Sequence, residues 1–271
     1  MRSYPKNDLY RYYRAKSKNR FFSKRLPDHT NKRTVQLMNF AINCADSWVT
    51  FMDIGAGDGR YSVPLLHKFK KGYAVEVEKS PGLAQVAKIY RNLHYSKELI
   101  QKMKIKEKID FILMVDVFEH IPVKDVPGFV KKIDQMQTKG GVVYILTPNA
   151  VHCGPASQSG LHHTRLPFGH HKQYVQQEIE FLFSKYGYKT IFCAYEDSLT
   201  RLLVKHFIMA VSIIDNRLSQ NVVYRILSSP LVFILNIFFQ VTSMFACWVD
   251  IRHQEDIYGT RSMVLVLKKL T

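Results

Sequence analysis

Apolar positions along the chain switch repeatedly between two spacings. Val35, Met38, Ala41, Ile42 and Ala45 recur three and four residues apart, which predicts a helix from Val35 to Trp48. Val49 to Ile54 is a short apolar run that stops at glycines, the pattern of a buried strand. A helix is predicted from Tyr61 to Phe69, a strand from Tyr73 to Val77, and a helix from Pro81 to Arg91 with its proline in the first turn. Ile109 to Val115 reads as a strand and Val126 to Met136 as a helix that Gly140-Gly141 breaks. Val142 to Leu146 is a strand ending at Thr147-Pro148-Asn149. Gln176 to Tyr186 is a helix closed by Gly187, and strands follow at Lys189 to Ala194 and Met263 to Leu267. Strands alternating with helices predict an α/β fold, a mostly parallel sheet with helices on both faces. Such sheets bind ligands beyond the carboxyl ends of their strands.

Composition narrows the picture. Apolar residues make up 46% of the 271, which excludes disorder for the bulk of the chain. The four cysteines (44, 153, 193 and 247) are far apart with no CxxC, which excludes a zinc ribbon and argues against a disulfide scaffold. The first residues carry no apolar run of a secretory signal, so a cytoplasmic protein is expected. The formal charge is +17, and eleven Lys and Arg against Asp8 and Asp28 fall within residues 1–33. This arm would attract lipid headgroups, RNA or acidic partners, and its Tyr and Phe residues suit base stacking or a bilayer interface; a solvated arm whose rings cover the core has the same composition. Three parts follow: a basic arm (1–33), a core (34–196 and 260–271), and an apolar insert (197–259). In the insert, Leu199, Leu203, Phe207, Ile214 and Leu218 share a helical face, and Pro230 to Val249 holds no charge. That length would span a bilayer, but one crossing would separate the last strand from its sheet. The insert therefore lies in or re-enters the interface, forms a lid, or is a buried helical layer.

The chemistry sits after the predicted strands. Asp53-Ile54-Gly55-Ala56-Gly57-Asp58-Gly59 is a strand end, a glycine turn and a helix start. Glycines let a ligand approach bare backbone, and amides at a helix start favour an anion. The spacing is GxGxG, unlike the dinucleotide GxGxxG. Asp53 would repel a pyrophosphate but suits an ammonium, and Glu76, at the end of the second strand, can accept both hydroxyls of a ribose. DIGAGDG with Glu76 resembles motif I and the ribose acid of the class I S-adenosylmethionine-dependent methyltransferases. The resemblance implies a Rossmann-like sheet that binds S-adenosylmethionine through Asp53, Gly55, Gly57, Gly59 and Glu76. The family's adenine-contacting acid has no clear counterpart in His94-Tyr95-Ser96-Lys97-Glu98.

Asp116-Val117-Phe118-Glu119-His120 resembles the D-V-x-E-H stretch of the ubiquinone-biosynthesis O-methyltransferase branch, and Gly169-His170-His171-Lys172-Gln173-Tyr174 continues the likeness. On a helical turn Asp116, Glu119 and His120 would share a face. The resemblance implies that these residues with His170 can hold Mg²⁺ or a similar divalent cation; alternatively Glu119-His120 braces the loop, or His120 meets substrate without metal. Residues 162–171, HHTRLPFGHH, hold four of the eleven histidines; His170 is the candidate general base, and the others suit a polar surface loop. The expected function is methyl transfer from S-adenosylmethionine to an oxygen of a lipid-linked, quinone-like or glycolipid small molecule, with Glu119, His120 and His170 acting on the acceptor at a membrane surface. Two alternatives stand beside it: an RNA 2′-O-methyltransferase that binds phosphates with its arm, and a non-catalytic cofactor-binding scaffold on a membrane.

Overall fold

The computed structural model describes residues 32–78, 80–153, 170–198 and 260–271, with scattered helical positions between 234 and 252. The basic arm up to residue 31, most of the insert, and His162 and His163 lie outside them. The chain divides into two compact units, Met1–Thr34 with Asp197–His253, and Val35–Glu196 with Gln254–Thr271. The second holds the sheet.

Its elements are α1 (Lys32–Asn43), β1 (Thr50–Ile54), α2 (Ser62–Leu66), β2 (Lys71–Val75), α3 (Pro81–Ile89), β3 (Leu93–Ser96) and β4 (Ile109–Val115). Two short 3-10 turns (Phe118–His120 and Val123–Asp125) lead to α4 (Val126–Met136), β5 (Gln137–Pro148), α5 (Ala150–Cys153), α6 (Gln176–Ser184), β6 (Tyr188–Ser198) and β7 (Thr260–Lys269). The sheet order is β3-β2-β1-β4-β5-β7-β6. Strands β3 to β5 in that order run parallel, with Asp53 opposite Ala74 on one side and Leu113 on the other; β7 is antiparallel to β5. The order reverses between β1 and β4, so their carboxyl ends open the crevice where such folds bind ligands.

All five residues of β1 are buried. Successive side chains of a strand point to opposite faces, so both faces of the sheet are covered. On one face Met52, Ile112, Val143 and Leu265 pack with Phe129 and Ile133 of α4 and Phe183 of α6. On the other, Phe69 lies between Phe51 and Phe111, 5.5 and 5.8 Å away by ring centroids. Burying such side chains contributes roughly 1.5–3 kcal/mol each. Ser80 caps α3 by accepting the Leu83 amide at 3.2 Å, with Pro81 at the first helical position as expected.

The structure departs from the sequence reading in four places. Strand β2 ends at Val75, so Glu76 is the first residue beyond it. Strand β3 was not anticipated: of Leu93-His94-Tyr95-Ser96 only Leu93 is buried, too little to mark an apolar run. Gly140 and Gly141 are not a turn that breaks the preceding helix, which ends at Met136; β5 runs through them, with Gly140 at φ +75° and the pairing to β4 shifting between Ile109 and Phe111. A β-carbon on Gly140 would stand 2.0 Å from Asp46 Oδ2, so the glycine serves an irregular strand. Helix α1 ends at Asn43 and stops short of Trp48.

Candidate active site

The glycine loop hangs from the end of β1 and is tied to β2. The amides of Gly55 and Ala56 donate to the Val75 carbonyl at 2.8 and 3.1 Å. Gly55, Gly57 and Gly59 all have positive φ, +68°, +54° and +83°. L-residues with a side chain rarely adopt that conformation. A β-carbon on Gly57 would meet nothing within 4 Å, so the middle of the loop faces open space. Glu76 reaches across: its Oε2 accepts the Gly57 amide at 2.9 Å, and its Oε1 accepts from the Glu78 amide at 3.0 Å. The loop and Glu76 therefore form one unit.

Asp53 is placed differently. It is 2% exposed, and its Oδ2 accepts the Ser62 hydroxyl at 2.6 Å. The carboxyl thus ties β1 to the start of α2 from beneath the loop. Burial pushes it up to about 7, and the charges of Glu76 and Asp58 add to that shift against the Ser62 hydrogen bond. A folded value above the ordinary one near 3.8 means the folded state holds the extra proton between those pH values. This contribution to stability is whole below about 3.8 and is lost as pH rises towards about 7. Asp53→Asn keeps an acceptor for Ser62 and removes the titration. Its thermal midpoint is expected to vary less than wild type's over that range, a difference on the order of a few kcal/mol in unfolding free energy. Thermal melts at a series of pH values measure it; parallel curves would show that Asp53 keeps its charge in the folded protein.

The second group follows β4. Asp116 has a left-handed backbone, φ +53°, and the turn that follows is a 3-10 turn over Phe118–His120. The α-helical spacing assumed for Asp116, Glu119 and His120 is therefore not formed. Asp116 is exposed and does not join the donor cluster, although its charge reaches Glu119. The structure therefore does not bring Asp116, expected as a fourth ligand, together with the other three. Among the described residues the cluster is Glu119, His120 and His170, with one donor atom from each within 4.8 Å of the others.

Glu119 is fully buried. Its Oε2 accepts the Thr147 hydroxyl from the end of β5 at 2.9 Å, while its Oε1 has no partner. Burial pushes this carboxyl up to about 8, with Asp116 adding to the rise. His170, 8% exposed, is pushed below the ordinary histidine value by burial and by His120. The two imidazoles meet edge to face, 4.7 Å between centroids at 81°. Main-chain bonds hold the histidine segment in place: the amides of His171 and Lys172 donate to the Glu119 carbonyl at 2.8 and 3.3 Å, and Ala150 N donates to Tyr174 O at 3.2 Å. The Phe118 ring packs on Tyr174 at 4.9 Å.

Val117 joins the two groups. A β-carbon on Gly55 would stand 2.3 Å from Val117 Cγ2, so the glycine loop and the acid–histidine turn lie against each other at the carboxyl ends of β1 and β4. Three contributors escaped the sequence reading: Ser62 beneath Asp53, Thr147 on Glu119, and Gln173, whose amide lies 3.5 Å from His170 Nδ1. Thr147 had a signal, since it ends a strand that neighbours β4; the others had none.

Comparison with known proteins agrees with this geometry. A family profile described as a methyltransferase domain matches residues 9–191. A ubiquinone biosynthesis O-methyltransferase from Pelagibacter ubique is 27% identical over 106 residues, 37% of this chain; the match spans less than half of that relative, 42%. Among solved structures, the cyclopropane synthase MmaA2 from Mycobacterium tuberculosis superposes with a TM-score of 0.56 at 14% identity, covering 87% of this chain and 84% of that one. The N-methyltransferase NodS from Bradyrhizobium japonicum, in complex with S-adenosyl-l-homocysteine, gives 0.50 at 13% identity over 70% and 91%.

Proposed function

We infer the reaction from the premise that this chain belongs to the methyltransferase-domain family, with the Rossmann-like sheet of the class I S-adenosylmethionine-dependent enzymes. The loop fits that cofactor: its glycines leave bare backbone at Gly57, Glu76 lies within reach of the loop as a ribose acceptor would, and the carboxylates of Asp58 and Glu76 give it a negative potential suited to a sulfonium and an ammonium. The acceptor is a hydroxyl of a quinone-like, lipid-linked or glycolipid small molecule. One observation carries this choice: a buried carboxyl with an unpartnered oxygen beside two imidazoles, next to the cofactor loop.

A hydroxyl is a poor nucleophile until its proton leaves. The acceptor oxygen forms its bond to the methyl carbon as the sulfur–carbon bond breaks and its electron pair stays on sulfur, giving S-adenosylhomocysteine. The hydroxyl proton passes to His170, which its burial keeps neutral and able to accept. Holding the two reactants in line supplies roughly 7–11 kcal/mol of the barrier reduction.

The cluster also fits a divalent cation, since Glu119 Oε1 is buried without a hydrogen-bond partner and the three residues together offer one carboxylate oxygen and two imidazole nitrogens. With Asp116 outside the set, these donors suit a zinc- or manganese-like ion better than Mg²⁺, which prefers oxygen. Such an ion, when bound, would lower the pKa of an acceptor hydroxyl and ease loss of its proton.

Transfer of label from methyl-labelled S-adenosylmethionine into a cell extract tests the acceptor class. Label is expected in the organic-soluble fraction. Label in ribonuclease-sensitive material would replace this reading with RNA methylation, and cofactor binding with no labelled product in any fraction would make the protein a scaffold.

A further inference from the structure

The unit formed by Met1–Thr34 and Asp197–His253 carries a surface of its own. Among the described positions of its helical stretch between 234 and 252, Ile234, Ile237, Val241, Phe245 and Trp248 are each 51–61% exposed. Their spacing of three and four residues puts them in one row along a helix. The Thr242 hydroxyl donates to the carbonyl four residues back, at 3.0 Å. At one end of the row the rings of Phe245 and Trp248 stack 5.9 Å apart, and the Arg252 guanidinium lies 5.3 Å from the Trp248 ring. Scattered exposed apolar residues are ordinary, whereas a continuous row marks an interaction surface. No charged residue interrupts the sequence from Pro230 to Val249.

The charge of the same unit says what the row meets. It holds sixteen Lys and Arg against five Asp and Glu, a net +11 of the chain's +17. A second copy of so basic a unit would be repelled, and a neutral protein groove would gain nothing from the charge. Anionic lipid complements both features at once. No helix among the described residues is long and apolar enough to cross a membrane. We propose that this unit docks on an anionic bilayer surface. The helix lies in the plane of the interface with Ile234, Ile237, Val241, Phe245 and Trp248 in the acyl boundary, and the basic residues rest on the headgroups. Apolar insertion plus a basic patch is the pair of signals that makes peripheral attachment stable. Trp248 beside Arg252 is placed as interfacial anchors are, indole at the boundary and guanidinium towards phosphate.

The chain has two tryptophans, so Trp48→Phe leaves Trp248 as the sole reporter in the full-length protein. Vesicles of phosphatidylcholine with a fraction of phosphatidylglycerol are expected to sediment this protein and to shift its emission to the blue; vesicles of phosphatidylcholine alone are not. Adding Ile237→Asp and Phe245→Asp should cut binding to the anionic vesicles roughly tenfold or more, with S-adenosylmethionine affinity unchanged as the control for folding. High salt should weaken binding further by screening. Sedimentation without an emission shift would overturn insertion of the row. A blue shift that grows with protein concentration without lipid, with a dimer in sedimentation velocity, would assign the row to self-association. Absence of binding to either vesicle would overturn the proposal outright.

Discussion

Gly55→Ala is expected to lower affinity for S-adenosylmethionine by roughly two to three orders of magnitude. Two effects add at this one position. The backbone is at φ +68°, where a β-carbon costs about 1–2 kcal/mol. The new carbon would also lie 2.3 Å from Val117 Cγ2, so either the loop or the turn that leads to Glu119 must move. Overpacking of this kind typically costs about 1–3 kcal/mol, and each 1.4 kcal/mol is about tenfold in an equilibrium constant. Gly57→Ala is the internal control. Its φ of +54° brings similar strain, but nothing stands within 4 Å of its β-carbon position, so in the unliganded protein it should be the milder change. Isothermal titration with S-adenosylhomocysteine would measure the loss at Gly55, and thermal melts of the unliganded protein would compare the two variants. Equal, small losses would mean that the loop relaxes freely and that Val117 does not hold it.

Glu119→Gln should leave cofactor affinity intact and lower turnover by about 10²–10⁴, the usual worth of acid–base or ion-binding help. Glutamine can still accept the Thr147 hydrogen bond through its carbonyl, so the fold of the turn is retained. What is lost is the carboxyl oxygen that faces His120 and His170. His170→Asn should give a comparable loss, because it removes the neutral imidazole while the main-chain bonds of His171 and Lys172 to Glu119 still seat the loop. Single-turnover methyl transfer on the acceptor fraction would measure these losses, with cofactor titration as the folding control. Wild-type turnover in both variants would reduce the cluster to a brace between β4, β5 and the histidine segment.

The parts of this site that the sequence revealed are those whose geometry is local. The glycine loop is read from a strand, a turn and a helix start within about a dozen residues, and Glu76 follows one strand later. Where the surroundings of a side chain depend on how elements pack, the sequence is silent. An acid before the glycines suggests a ligand for an ammonium, but the burial of Asp53 and its bond to Ser62 follow from how α2 returns over β1. Asp116 looked like a donor because i, i+3 and i+4 meet on an α-helix; a single residue at φ +53° removes it, and nothing in Asp-Val-Phe-Glu-His announces that value. Gly140-Gly141 is ordinary turn punctuation, and only the approach of Asp46 makes it a bulge within β5. The short edge strand β3 buries one side chain of four, below what an apolar run can signal.

The position of β7 in the sheet has a consequence for biosynthesis. It lies between β5 and β6 but follows both in the chain, separated from β6 by about sixty residues. While the protein emerges from the ribosome, β5 and β6 are complete with an empty place between them, and each offers unpaired main-chain groups. The sheet cannot close until Thr260–Lys269 has left the exit tunnel. During that interval the open edges of β5 and β6 are the places where another nascent chain can pair.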